Sequence, residues 1–338
     1  MDLSRSFFTN FWHLICHRRE LPEIGDFIKF RTPLGDVVVF NDDGELVAFD
    51  NKCPHRGSLI YQTDHGNQAN TCKYHGWSYK AGKVIIPKNN LFIACDISNI
   101  DVNKFRLEWC GDFVFVGIAP KLDLYEQLSD VAEILENISF NIDRRHDFSA
   151  YDYQCFWPLA IENALEPYHI DLVHPKTLAT LCLSSGKNDL SEWTSIWRAP
   201  IGDQRINRQL NGLNRFFALD FQYKGYMSIF MFPFTMLSST YGYSYSLQNF
   251  FPNQNSNQLT NFTSRLLTST MKSAAASNVM QPFFHSSAQV NRQVFEEDHS
   301  VCKNMAQDSW SILPLKYPSS EEVKIDHFRR ICNRAIEL

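Results

Sequence analysis

The chain has 338 residues, a net charge of −5, and 44% hydrophobic, 20% charged and 14% aromatic residues. That profile fits a globular protein of one large or two medium domains. No basic tract marks a nucleic-acid surface, and no apolar stretch approaches the roughly 20 residues that span a bilayer.

The first twenty residues place Asp2 in the first turn and offer no small-residue cleavage site, so they do not read as a secretion signal. Their apolar part, Phe7 to Cys16, is expected to pack as helix or strand. The nine cysteines are odd in number and scattered, unlike a disulfide framework. A reducing cytoplasm is the expected compartment. Cys16, Cys95, Cys110, Cys155, Cys182, Cys302 and Cys332 are expected mostly as buried small hydrophobes.

Short strands come first. Residues 26–51, DFIKFRTPLGDVVVFNDDGELVAFDN, hold three apolar runs separated by turn residues at 33–36 and 41–44. WSYKAGKVI predicts a hairpin around Ala81-Gly82, and this β block ends near Ile118. LDLYEQLSDVAEILENI then shows helical periodicity, and ENALEPYHIDLVHP predicts a helix that Pro175 ends. In TYGYSYSLQNF, Tyr241, Tyr243, Tyr245 and Leu247 alternate with small residues, which predicts a strand with one aromatic face. After the turn PNQNSNQ, LTNFTSRLLT is its expected antiparallel partner. Two helices, about 283–310 and 320–336, close the chain.

Two clusters of metal-binding residues stand out. The first is Cys53-x-His55, sixteen residues, then Cys72-x-x-His75. Thiolate with imidazole suits zinc or iron–sulfur. Zinc knuckles usually pair two Cys, whereas one Cys and one His per knuckle suits a two-iron cluster. With Pro54, Arg56, Gly57 and Gly76-Trp77 beside it, the pattern resembles the Rieske [2Fe–2S] motif. Respiratory Rieske proteins carry an extra Cys in each knuckle; Ser58 and Tyr74 stand there, so the similarity is to the ferredoxin and oxygenase type. Trp77 is expected to pack beside the cluster. Arg56 is either a loop brace or a subunit contact.

The second cluster lies in Asn163-x-x-Glu166-x-x-His169-x(4)-His174. Residues i and i+5 of a helix point about 140° apart, so the two His converge only if the helix ends or distorts between them. Two imidazoles and one carboxylate form the facial triad of non-haem Fe(II) sites. Asp298 is the candidate carboxylate. It falls within an apolar stripe of Val290, Val294, Val301 and Met305, where an uncompensated charge would be costly. Glu297 is the alternative, aimed further off that stripe.

Together the two clusters resemble the α-subunit of Rieske non-haem iron oxygenases of the aromatic-ring-hydroxylating type, from about Phe7 to the end. The resemblance implies an α+β protein: an all-β Rieske domain (8–118), then a helix-grip catalytic domain (119–338) with an antiparallel sheet and a long C-terminal helix. It implies a [2Fe–2S] cluster on Cys53, His55, Cys72 and His75, and a mononuclear Fe(II) on His169, His174 and Asp298. Asn163 would sit close to that iron. Glu166 takes the place of the family's bridging Asp, which would link His169 to His75 of a neighbouring subunit in a homotrimer. Glu there is similar to a branch acting on quaternary ammonium substrates. Pro167, unusual within a helix, would fix a kink. The implied activity is hydroxylation or oxidative demethylation of a small organic substrate by O2, with a lean toward a quaternary amine. Electrons would come from NAD(P)H through a separate flavin/iron–sulfur reductase or ferredoxin. The alternative is a Rieske electron carrier fused to a non-catalytic ligand-binding domain. Tyr241, Tyr243 and Tyr245 either line the pocket or, the preferred reading, pack against the C-terminal helix.

Overall fold

The computed structural model describes residues 2–93, 96–183 and 185–338; Cys95 lies outside them. The helix Leu3–Asn10 buries Phe7 and Phe8, and the strand Trp12–His17 follows it directly. That strand opens a seven-stranded antiparallel sheet. Its order continues Phe113–Gly117, Lys104–Cys110, Glu45–Asp50, Gly35–Asp42, Asp26–Thr32 and His65–Asn67. The expected turn at 41–44 is tight: Asp43 and Gly44 take φ of 61° and 96°. Ala81 and Gly82 make a similar turn in the ribbon of Ser78–Lys80 with Lys83–Ile85.

The second sheet is also seven-stranded and antiparallel. Its order is Ile142–Tyr153, Thr260–Ser269, Ser244–Pro252, Thr235–Thr240, Tyr226–Met231, Thr194–Ala199 and Lys187–Leu190. The long helix Ala274–Cys302 packs on one face, where Phe295 meets Phe262 and the Tyr153 hydroxyl donates to the Phe295 carbonyl at 2.8 Å. The other face takes Leu128, Leu135 and Ile138 from the helices Leu124–Leu128 and Val131–Asn141. This is an α+β architecture, a β-domain followed by a sheet gripping a long helix. One core runs between the two sheets, from Phe7, Phe11 and Phe30 to Trp157, Phe232 and Phe328.

Several elements differ from the sequence reading. The aromatic alternation at 241–247 is not one strand. Tyr241 and Gly242 have φ of 63° and 71° and form the hairpin turn, so the strand begins at Ser244. Tyr241 and Tyr243 pack with Met280 and Phe284 of the long helix, as preferred, but Tyr245 joins the opposite core with Leu247. The helix expected through 162–174 is two helices, Trp157–Leu165 and Ile170–Val173. The closing helices are Ala274–Cys302 and Val323–Ile336, so the first starts and ends earlier than expected. The stripe around Asp298 is not a core face: Val294 is buried, but Val290, Val301 and Met305 are exposed, and Met305 lies past the helix end. Cys182 is exposed because it caps the short turn Leu178–Leu181 at the surface, while Cys16, Cys110, Cys155, Cys302 and Cys332 are buried as expected.

Candidate metal centres

The two Cys–His knuckles are built alike. The Cys53 amide donates to the Ser58 carbonyl at 2.9 Å, and the Cys72 amide to the Trp77 carbonyl at 2.7 Å. Gly57 and Gly76 each donate back to the carbonyl of their own Cys, at 2.9 and 3.0 Å. Both glycines need positive φ, 72° and 74°, to close these turns. The result sets two thiols, Cys53 and Cys72, near enough to perturb each other. The His55 and His75 rings lie 4.8 Å apart. His55 stacks on Trp77 at 4.7 Å, so Trp77 fixes the ring plane. Its Nδ1 is buried with no partner among the described residues, a nitrogen left free for a metal. The donor set fits an iron–sulfur cluster of the two-Cys, two-His kind. Arg56 donates to the Tyr74 hydroxyl at 3.3 Å and ties one knuckle to the other. His75 and Tyr74 are exposed, so this tip faces outward.

The second centre depends on how one helix ends. Pro167 disfavours a helical conformation in the residue before it. Glu166 is accordingly extended, with φ −109° and ψ 143°, and caps Trp157–Leu165. The chain resumes as the single turn Ile170–Val173, with His169 at one end and His174 at the other. Two imidazoles that a continuous helix would hold apart now converge, their Nε2 atoms 3.2 Å from each other. The long helix brings Asp298 between them, its Oδ1 3.0 Å from His174 Nε2 and 3.5 Å from His169 Nε2. Ligand atoms of His169, His174 and Asp298 all lie within 4.8 Å of one another.

Both imidazoles are held from behind. His169 Nδ1 donates to Glu166 Oε1 at 2.6 Å, and the His169 amide donates to Glu166 Oε2 at 3.1 Å. His174 Nδ1 donates to Glu297 Oε2 at 2.8 Å, and Thr177 donates to the same oxygen at 3.0 Å. Carboxylates on both Nδ1 atoms fix the tautomer that leaves Nε2 free for a metal. Asn163 Nδ2 donates to Asp298 Oδ1 at 2.8 Å. Behind Asn163, Arg329 of the last helix grips Glu162 through two contacts of 2.7 and 2.8 Å, and Trp310 adds a third at 2.8 Å.

The electrostatics fit a cation at this point. Burial opposes the charge on Asp298, but the two imidazoles outweigh it and hold the carboxyl down at about 2. Burial likewise opposes a proton on His169, yet Asp298 and Glu166 raise it to about 9. His174 shifts up for the same reasons, with Glu297 in place of Glu166. In metal-free protein, protons hold the place a divalent ion would take.

Glu297 supports the site through His174 rather than as a ligand. In the sequence its one visible signal is that it adjoins Asp298. Nothing near Glu162 in the sequence points to Arg329, which is 167 residues away.

A cavity of about 60 Å³ lies against the triad. It shares Leu178, Tyr226, Ser238, Gln248, Val294 and Phe295 with an adjoining cavity of about 420 Å³. Ser244, Ser246 and Gln248 line the larger space; Tyr241, Tyr243 and Tyr245 line neither. The strand therefore turns its small polar side toward the cavity, the reverse of the aromatic-pocket reading.

Comparison with known proteins finds a family match over each of the two regions that carry these centres. Residues 11–90 match the Rieske [2Fe-2S] domain, and residues 141–337 match the ring hydroxylating alpha subunit (catalytic domain). The chain is 28% identical to the anthranilate 1,2-dioxygenase large subunit of Acinetobacter baylyi, over 52% of this chain and 40% of that protein. It is 24% identical to the glycine betaine monooxygenase oxygenase subunit of Pseudomonas aeruginosa, over 56% of this chain and 47% of that protein. These alignments thus span less than half of either relative. The crystal structure of the quaternary ammonium Rieske monooxygenase CntA with L-carnitine shares the fold, with a TM-score of 0.75 at 18% identity, covering 98% of this chain and 90% of that one. A Rieske module in front of a sheet-and-helix domain with a partly buried two-His, one-carboxylate cluster, matched by family over more than half its length, places this chain in the family of ring-hydroxylating oxygenase α-subunits.

Proposed function

We propose that this chain is the oxygenase component of a Rieske non-haem iron system, hydroxylating or oxidatively demethylating a small organic substrate with O2. The observation that carries the reading is the convergence of His169, His174 and Asp298 beside a cavity. In this reading Cys53, His55, Cys72 and His75 hold a [2Fe–2S] cluster. The triad holds one Fe(II), which supplies open coordination positions for O2. The protein's share is positional. Glu166 and Glu297 orient the imidazoles, and Asn163 holds Asp298 by one oxygen.

Electrons would arrive from NAD(P)H through a separate reductase or ferredoxin. A homotrimer would set the exposed His75 of one chain near Glu166 of the next, because heterologous contacts that close make rings. Glu166, with the likeness to glycine betaine monooxygenase and to CntA, supports a quaternary amine as the substrate class. The electron-carrier alternative has no use for an intact triad supported on every side.

Iron and acid-labile sulfide per chain test the reading. About 3 Fe to 2 S is expected for a cluster plus one mononuclear iron. Asp298→Ala should drop the ratio to about 2 to 2, abolish substrate-dependent O2 uptake and leave the visible cluster spectrum intact. An unchanged ratio in that variant would remove the triad from the proposal.

A further inference from the structure

Lys324 lies one residue into the last helix, Val323–Ile336, and its side chain is part of the wall of the cavity that His169, His174 and Asp298 line. It is 2% exposed. Among the described residues it makes no ion pair; the charge that acts on it is the more distant Glu166 carboxylate. Its ammonium stands 5.9 Å over the ring of Trp197, another wall residue. Across the sheet from Trp197 is Ser228, 4% exposed and also in the wall, whose Oγ has no hydrogen-bond partner among the described residues.

A buried, unpaired ammonium is costly to keep. Its position adds to the cost, since the first turn of a helix favours negative charge rather than positive. An idle hydroxyl donor beside the same ring adds a second unmet group. One occupant would satisfy all three conditions: an anion reaching the cavity from the solvent side.

We propose that Lys324 and Ser228 form a seat for a carboxylate of the substrate, with the reacting end of the molecule directed to the triad. This rests on the proposed oxygenase reading and narrows it: the substrate is a small carboxylate, and if it is a quaternary amine it is a zwitterion rather than a simple cation. A cation alone would meet Lys324 as a like charge. Burial pushes the lysine down to about 7, against the pull of Glu166, so the anion also restores its full charge.

Calorimetric titration of the iron- and cluster-loaded protein tests the seat with two probe pairs, glycine betaine against choline and benzoate against benzamide. Wild type should bind the carboxylate of at least one pair about 10-fold or more tighter than its carboxylate-free counterpart. Lys324→Met keeps an unbranched side chain in the wall and should erase that preference. Ser228→Ala should reduce it about threefold to tenfold. The proposal fails if wild type shows no preference in either pair or binds neither carboxylate below about 10 mM. It also fails if Lys324→Met keeps the preference or Ser228→Ala leaves it unchanged, and the serine variant decides alone should the methionine variant not fold. Iron and sulfide measured on the same samples judge the oxygenase reading separately: a chain without mononuclear iron would overturn that reading whatever the titrations give.

Discussion

At the scale of single residues, the triad is a set of donors whose supports matter as much as the donors. Glu297 accepts from His174 Nδ1 and from Thr177, so it fixes the ring that aims Nε2 at the centre. Glu297→Gln should weaken Fe(II) affinity about 10- to 100-fold and leave the cluster spectrum unchanged, as measured by metal titration of the apo site. The same charges give a pH signature in metal-free protein. His169 is raised from 6.5 to about 9, so its pairing contributes fully below pH 6.5 and is lost as pH rises through 9. Asp298 is lowered from 3.8 to about 2, so its share is present above pH 3.8 and is lost as pH falls through 2. The stability gap between metal-free wild type and Asp298→Asn should therefore be widest between pH 3.8 and 6.5 and close toward pH 9, read by denaturant titration.

Among elements, the break at Glu166 is the decisive one. Pro167 denies Glu166 the helical conformation, and the change of direction that follows lets residues 169 and 174 meet. Pro167→Ala should let the helix run on and turn Glu166 and His169 away from the centre. Iron retained at the triad should fall about 10-fold or more at equal ligand concentration, while sulfide stays at two per chain. The result to check is iron per sulfide after gel filtration; an unchanged ratio would mean that the triad, not the proline, shapes the turn. Gly242 illustrates the same lesson in the sheet. Tyr241 and Gly242 spend the first two alternating positions on a turn, and the register that follows puts Ser244, Ser246 and Gln248 on the cavity side.

For the whole molecule, the two sheets are joined by charge as well as by core. Arg265, fully buried in the second sheet, donates to Asn249 at 2.6 Å and to the Ile15 carbonyl at 2.8 Å, and faces the buried Glu20 at 3.6 Å. Removing one member of a buried pair strands the other. Arg265→Met should cost about 3 kcal/mol or more, moderated by Arg145, which also reaches Glu20 at 3.5 Å. Differential scanning calorimetry checks this, with Glu20→Gln/Arg265→Met expected to recover part of the loss.

The sequence by itself determined which residues are candidates for the chemistry. Cys53, His55, Cys72 and His75 stand close together in the chain, and short-range spacing is enough to form two knuckles closed by their own amides. His169, His174 and Asp298 were legible as candidates because few residue types serve a metal. The apolar stripe that singles out Asp298 is not a buried face, since Val290, Val301 and Met305 are exposed. Local patterns also carried the hairpins and the antiparallel partner of the 244–252 strand. What only the tertiary structure decided depends on contacts between distant segments: which face of that strand meets the cavity, that Arg329 reaches back to Glu162, that Glu297 stands behind His174, and that Lys324 and Ser228 share one wall. Periodicity reports that a residue is on a face, but a sheet covered on both sides has two buried faces. Nothing in the spacing of Tyr241, Tyr243 and Tyr245 says which helix will cover which, because that choice is made by packing across the whole chain.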